Sequence, residues 1–368
     1  MKSIVVIGGG LSGSAAAIQL ARAGREVTVL EREAGPHEKV CGEFLSVEAC
    51  HDLDRLGLSP ATLGAAPIDR VRLHHGTRSI EARLPFLAQG LSRKVLDEAL
   101  QQLASGAGAQ VMRAVRVSGI ASGTVLSNRG DFAAEEILLA SGKHDLRGEA
   151  REFPREERGY VGFKMHWRLD PGALAELGSA VELILFDGGY AGLQRVGQTD
   201  ANLCLVARQS ELSATGGDWP SLLGRLMREP IIARRLGNAT ALFAKPLAIA
   251  NLPYGFVHRP SQADAAHVWR LGDQAAATAS LTGDGMAIAL RSARLAADML
   301  VAGQGAACFH RSLEAQTRRQ VHRAMLLHRM FEHPIALAVG SAAARIFPQL
   351  LPAMASATRL PSYSLRVG

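Results

Sequence analysis

Aromatic residues are scarce in this chain, with Phe, Trp and Tyr together making up 5% of its 368 residues. So few rings leave little from which to build a stacking surface for bases. The net charge of +7 comes from scattered arginines, with no basic run interleaved with aromatics. Nucleic acid is therefore not an expected partner. Cysteine is sparse as well. Cys41, Cys50, Cys204 and Cys308 show no C-x-x-C pairing and no matched histidine spacing, which argues against a zinc site or a disulfide framework. No metal ligand is assigned, and His310, His322, His328 and His333 read as surface residues. Long apolar runs free of charge are absent, so no segment is expected to span a bilayer. The first strand starts at residue 4, which leaves no room for a signal peptide, and the expected compartment is a reducing cytoplasm. What remains is an ordinary globular balance of 48% hydrophobic and 20% charged residues. The length suits two interleaved domains, at about 100–200 residues per domain.

The chain is organised around its first thirty-odd residues, KSIVVIGGGLSGSAAAIQLARAGREVTVLERE. Ile4 to Ile7 form a β-branched apolar run, the pattern of a strand buried on both faces of a parallel sheet. Gly8, Gly10 and Gly13 fit G-x-G-x-x-G, with Ser12 inside the turn. The first glycine permits the turn, the second lets backbone approach a diphosphate, and the third lets helix pack on strand. Ser14 to Ala23 supply the helix, whose N-terminus is a ready anion site. Val27 to Leu30 form a second strand that ends in Glu31 and Arg32. A carboxylate there accepts ribose hydroxyls and repels a 2′-phosphate, so FAD or NAD is the expected guest.

Further along, a loop with Gly35, Pro36, Cys41 and Gly42 precedes a helix starting near Ser46, and long loops of this kind carry function. Ile68 to His74 and Ser79 to Leu84 read as paired strands. Arg93 opens a helix capped near Ser92. Lys143, His144, Asp145 and Arg147 follow a strand end and stand near the expected crevice. From Gly159 the sequence alternates, in YVGFKMHWRL, AVELILFDGGYAGLQRV and NLCLVARQ, which predicts an antiparallel sheet. Trp219 to Leu236 reads as one helix and Ala239 to Ile249 as a strand. Val268 to Leu271 then returns as a strand ending at Asp273, and Gly283, Asp284, Gly285 and Met286 open a long helix through Leu300. Phe309 to Arg329 is a charged helix. Residues 334–354 read as a packed, proline-broken helical pair that leaves room for peripheral membrane contact.

With these pieces in order, the sequence resembles FAD-dependent oxidoreductases of the geranylgeranyl reductase and p-hydroxybenzoate hydroxylase superfamily. GGGLSGSAAA with Glu31, LSRKVLDEAL and LGDQAAATASLTGDGMAIAL match its three separated FAD motifs, and KVCGEFLS is similar to the C-G loop of the reductase branch. Where that branch carries Y-x-W-x-F-P, this chain reads Tyr190-Ala191-Gly192-Leu193-Gln194-Arg195. Flavin halogenases share the fold, but their W-x-W-x-I-P motif is missing. The resemblance implies an α/β fold: a Rossmann-like FAD-binding domain (1–70, 91–158 and 257–302), an interleaved antiparallel β-sheet substrate domain (71–90 and 159–256), and a C-terminal helical segment (303–368). It implies that Gly8, Gly10, Ser12, Gly13, Glu31, Arg32, Arg93, Asp273, Gly285 and Met286 hold FAD, with Cys41 and Gly42 at its reactive face. NADPH or NADH is the expected transient electron donor.

Three functions stay open at this point, with a monooxygenase the leading reading and a reductase its alternative. A monooxygenase would hydroxylate a lipophilic or aromatic small molecule of secondary metabolism, with Lys164, His166 and Tyr190 on the sheet to deprotonate or orient it. A reductase or dehydrogenase would move hydride to or from a carbon–carbon bond, with Cys41 as proton donor. A non-catalytic flavin-binding protein is the third. The oligomeric state has no sequence signal.

Overall fold

A computed structural model describes residues 3–152, 159–333, 339–340, 343, 346–347 and 349–360. Ile4–Ile7 lies at the middle of a five-stranded parallel sheet, in the order Val268–Arg270, Glu136–Leu139, Ile4–Ile7, Val27–Leu30, Gln110–Met112. All four of its residues are buried, as a strand covered on both faces requires. Ile4 pairs with Val27 on one side and with Glu136 on the other. This puts the strand ends, and Gly8 directly after them, on one edge. The helix Leu11–Arg22 packs between Arg93–Gly106 and Gly285–Val301. Gly13 makes its close approach possible, because a Cβ there would stand 2.0 Å from the Gly8 carbonyl oxygen.

The second sheet has nine strands. Its core runs Tyr160–Arg168, Asp200–Arg208, Gly189–Arg195, Ala180–Phe186, Ala66–His75, Arg78–Gly90 and Phe44–Leu45. Pairing is antiparallel except at one seam, where Ala180–Phe186 runs parallel to Ala66–His75. That seam joins a hairpin from the first third of the chain to the strands after residue 159. The hairpin strands run beyond their expected ends, to His75 and Gly90, with Gly76 turning at φ +57°.

Two expected elements are broken by proline. The single helix expected over Trp219–Leu236 is two helices, Trp219–Leu226 and Pro230–Leu236, because Pro230 has no N–H to continue the first and instead starts the second. The strand expected over Ala239–Ile249 survives as Thr240–Ala241 and Leu247–Ala250, with Pro246 between them.

The helix Ala306–Glu332 corrects the surface reading of its histidines. His322 and His333 are exposed, but His310 and His328 are buried. His310 Nε2 accepts the Arg270 N–H at 3.0 Å. His328 lies edge-on to Tyr160, Tyr190 and Tyr254 at 5.0–5.8 Å. Much of the helical pair expected over 334–354 lies outside the described residues, and Leu350–Ala357 is helical. Among the described residues no helix is long and apolar enough to cross a membrane.

Candidate functional site

A cavity of about 1090 Å3 runs from the ends of the parallel strands to the nine-stranded sheet and the C-terminal helices. It exceeds the usual small-ligand pocket of about 300–1,000 Å3. At its first end the glycine turn is held open by its own neighbours. Gly8 adopts φ +103°, and a Cβ there would lie 2.5 Å from the Ala140 carbonyl oxygen. The Gly9 N–H donates to Glu31 Oε2 at 2.9 Å, and the Glu33 N–H donates to Oε1 at the same distance. Gln101 Nε2 donates to the Gly9 carbonyl at 2.7 Å. Glu31 is thereby fixed in the cavity wall beside Gly10, Ser12 and the exposed Arg32.

These residues fit a dinucleotide. The helix Leu11–Arg22 starts at Gly10 with no side chain capping its free N–H groups, so its positive end is open to an anion. Two cations stand over it: a Cβ on Gly10 would lie 3.1 Å from Lys39 Nζ and 3.7 Å from Arg93 Nη2. Both are anchored by Asp97, which Arg93 grips with two bonds of 2.8 and 2.9 Å and Lys39 contacts at 2.9 Å. Burial would raise the Asp97 carboxyl, but the two cations outweigh it and hold it down at about 2. Across the cavity Asp273 pairs with Lys143 Nζ at 3.2 Å, and Gly285 and Met286 line the wall at the start of their helix. Gly13 is not in the wall; its part is the close packing described above.

The loop of residues 37–43 crosses the middle of the cavity, where Cys41 and Gly42 line it. The sheet behind it grips this loop. Asn202 Nδ2 donates to the carbonyls of Cys41 and Gly42 at 2.9 and 3.0 Å, and Gln194 Nε2 donates to that of Glu43 at 2.9 Å. The Glu43 carboxylate receives Lys164 Nζ at 2.5 Å, His166 Nε2 at 2.7 Å and the Arg93 N–H at 2.6 Å. Lys164 also reaches Glu38 at 2.7 Å. Burial would raise the Glu43 carboxyl, but Lys164 and His166 outweigh it and keep it below its ordinary value. Lys164 and His166, expected over the substrate, therefore do not face the cavity. Their side of the strand is covered by the 37–43 loop, and both ends are taken by its carboxylates.

Tyr190 does line the cavity. Its hydroxyl donates to Ser280 Oγ at 3.3 Å, and the Tyr254 hydroxyl meets the same oxygen. Burial pushes the Tyr190 phenol up to about 12, so it stays protonated and able to donate. Sequence reasoning missed Glu43, Tyr254 and Ser280. For Glu43 a signal existed: a carboxylate directly after Cys-Gly, and a Lys-x-His spacing that puts two bases on one face of a strand. Tyr254 sits in a turn and Ser280 opens the short 3-10 helix Ser280–Thr282, neither with a periodic pattern to read. Two groups among the described residues bring potential metal-ligand atoms within 4.8 Å, His258–Asp264–His310 and Glu38–Glu43–His166. In the second, Lys164 already supplies the cation. In the first, His310 Nε2 is engaged by the Arg270 N–H and His258 Nε2 by Asp264 at 3.1 Å.

Comparison with known proteins agrees with this geometry. The family described as FAD dependent oxidoreductase matches residues 3–40. A menaquinone reductase of Mycolicibacterium smegmatis is 26% identical over 82% of this chain and 76% of its own length. The menaquinone reductase of Mycobacterium tuberculosis is 29% identical over 81% and 76%. Among solved structures, the flavin-dependent brominase Bmp2 superposes with a TM-score of 0.77 at 16% identity, covering 97% of this chain and 93% of its own. The myxobacterial halogenase CndH gives 0.73 at 19%, covering 89% and 82%. These two likenesses describe the fold. By these matches the chain is an FAD-dependent oxidoreductase.

Proposed function

We propose that this enzyme is a flavin-dependent reductase of a lipophilic molecule of quinone or polyprenyl type. The observation that carries this reading is the apolar far end of the cavity. Leu84 and Phe86 from the sheet face Leu327, Phe331, Leu351 and Met354 from the C-terminal helices, in one space continuous with the dinucleotide cradle. Such a chamber takes an extended hydrocarbon and keeps water from the reacting end. The relatives named menaquinone reductase act in the same direction, since a menaquinone is lipophilic.

When bound, FAD supplies hydride chemistry, held by Gly8, Gly10, Ser12, Glu31, Arg32, Arg93, Asp273, Gly285 and Met286. The chain's own residues do the rest. Cys41 Sγ, in the cavity wall, would give a proton to the reacting carbon, and the Tyr190–Ser280–Tyr254 hydroxyls, which line the same cavity, would orient a polar headgroup. That same hydroxyl cluster suits a phenol-type substrate and supports oxygen transfer as the second reading. Leu326, Met330, Phe347 and Leu350 expose large apolar side chains in the C-terminal segment, which supports contact with the lipid surface that would deliver such a substrate.

The test is turnover of a polyprenyl quinone with NADH or NADPH, under argon and under oxygen-18. The reductase reading expects a product heavier by two hydrogens, formed without oxygen. Label in the product, with none formed under argon, would move the assignment to a monooxygenase.

A further inference from the structure

Glu43 occupies a conformation that glycine usually takes, with φ +60°. For a residue with a Cβ this backbone is unfavourable, and it persists only where the surroundings over-determine it. Here they do. The side chain is fully buried and takes three donors within 2.7 Å: Lys164 Nζ, His166 Nε2 and the Arg93 N–H. Its carbonyl takes Gln194 Nε2 and the Leu91 N–H. These anchors come from two strands of the large sheet and from the segment that opens the Arg93–Gly106 helix, so the turn is clamped from both sides.

The consequence falls on Cys41. The left-handed turn at Glu43 folds its N–H back onto Cys41 Sγ at 3.4 Å, while Asn202 fixes the carbonyls of Cys41 and Gly42. The thiol is thus set in the cavity wall in one orientation. A buried carboxylate that met only one of these donors would be a liability, because an incompletely paired charge in such a place is strongly destabilising. Three donors and a strained backbone spent on one turn beside the only cysteine of that loop point to orientation as their purpose.

We propose that Glu43 is a positioning residue, whose carboxylate, locked by Lys164 and His166, holds the Cys41–Gly42 turn so that Cys41 Sγ faces the reacting end of the cavity. This deepens the reductase reading, yet the thiol can be tested with no substrate present.

The experiment is peptide-resolved alkylation of the FAD-loaded protein with iodoacetamide, comparing Glu43→Gln with the parent. Gln keeps the shape but brings an amide N–H against donors and removes the charge. Cys41 is expected to alkylate at least severalfold faster, because the turn is released and a negative charge nearby is gone. Cys50 and Cys308 should keep their parent rates, and the buried Cys204 should stay unreactive, which reports an intact fold. If polyprenyl quinone is turned over, kcat should fall about tenfold or more with KM little changed, since small misplacements of a reacting group are costly. Faster alkylation with slower turnover separates lost orientation from lost reactivity. Should Glu43→Gln fail to retain FAD, Gln194→Met removes one bond to the same turn and is expected to move Cys41 in the same direction by less. An FAD-loaded variant whose Cys41 alkylates at the parent rate overturns the proposal. Failure to reduce any quinone leaves the alkylation result standing and counts against the functional reading alone.

Discussion

Arg359 Nη2 lies 2.8 Å from Oδ1 of Asp284, tying the last described turn of the chain to the residue just before the Gly285–Val301 helix. Asp284 is fully buried, and burial pushes its carboxyl up to about 7 even though Arg359 pulls the other way. A folded-state value above the unfolded one means that the folded protein holds the proton more tightly. The stabilisation is therefore complete below about pH 4 and is lost as pH rises through 7. At 1.36 kcal/mol per pH unit, the rise from 3.8 to about 7 corresponds to roughly 4 kcal/mol as an upper bound. Asp284→Asn should flatten this slope, melting higher than the parent at about pH 8 and close to it only at about pH 4. Arg359 keeps its bonds to the Thr282 and Ala355 carbonyls and its place over Phe86. Parallel melting curves for the two proteins across that range would remove Asp284 from the pH response.

The glycine turn of the cradle was legible in the sequence because what makes it is local. Gly8, Gly13 and Glu31 fall within one strand–helix–strand unit, and each role follows from its offset. The clamp on Cys41 was not legible, since Lys164 and His166 meet Glu43 across more than 120 residues of chain. On the strand they read as alternating polar positions, and only the loop folded over that face turns them inward. His328 failed for a similar reason. Its helix is charged, and the three tyrosines that bury it arrive from three separate segments. The parallel seam between Ala180–Phe186 and Ala66–His75 was hidden too, because strand alternation says nothing about which neighbour a strand will choose.

Two glycines in the cavity region should respond differently to a methyl group. A Cβ on Gly13 would stand 2.0 Å from the Gly8 carbonyl oxygen and 3.0 Å from Val6 Cγ1, both part of the fixed strand-to-helix packing. Gly13→Ala is expected to lower the melting temperature and to abolish FAD retention. A Cβ on Gly42 meets nothing within 4 Å, and its free space is the cavity itself. Gly42→Ala should fold like the parent as apoprotein, while binding FAD more weakly and shifting its visible spectrum. Calorimetry and cofactor titration check both, and an unperturbed flavin in Gly42→Ala would place the ring elsewhere in the cavity.

Tyr254 and Tyr190 share one hydroxyl partner, so their contributions should not add. On the proposed reading either phenol would orient a headgroup through Ser280 Oγ, and residues that act on one partner couple by about 0.5–3 kcal/mol. Tyr190→Phe and Tyr254→Phe are each expected to raise KM for the quinone severalfold, and the double variant should lose less than the product of the two. Steady-state kinetics on the four proteins of the cycle measure this directly. Strictly multiplicative losses would mean that the two rings serve separate parts of the substrate.

Access for a lipophilic substrate sets the last expectation. Leu327 and Phe331 line the apolar chamber, while Leu326 and Met330, one position before each on the same helix, are 47% and 40% exposed. The helix therefore passes apolar surface from the chamber to the outside, and Arg323 and Arg329 stand beside it on a chain of net charge +7. Apolar side chains flanked by cations suit the boundary of an anionic bilayer, where each partly buried side chain contributes on the order of 1 kcal/mol. The protein should float with vesicles containing phosphatidylglycerol and much less with phosphatidylcholine alone. The double variant Leu326→Gln, Met330→Gln should weaken flotation about tenfold without changing FAD content. It should also raise KM for a quinone presented in vesicles more than for one presented in detergent, because only the first route crosses the lipid boundary. Equal flotation of parent and variant would place the membrane contact away from this helix, and no flotation of either would leave the substrate to arrive by another carrier.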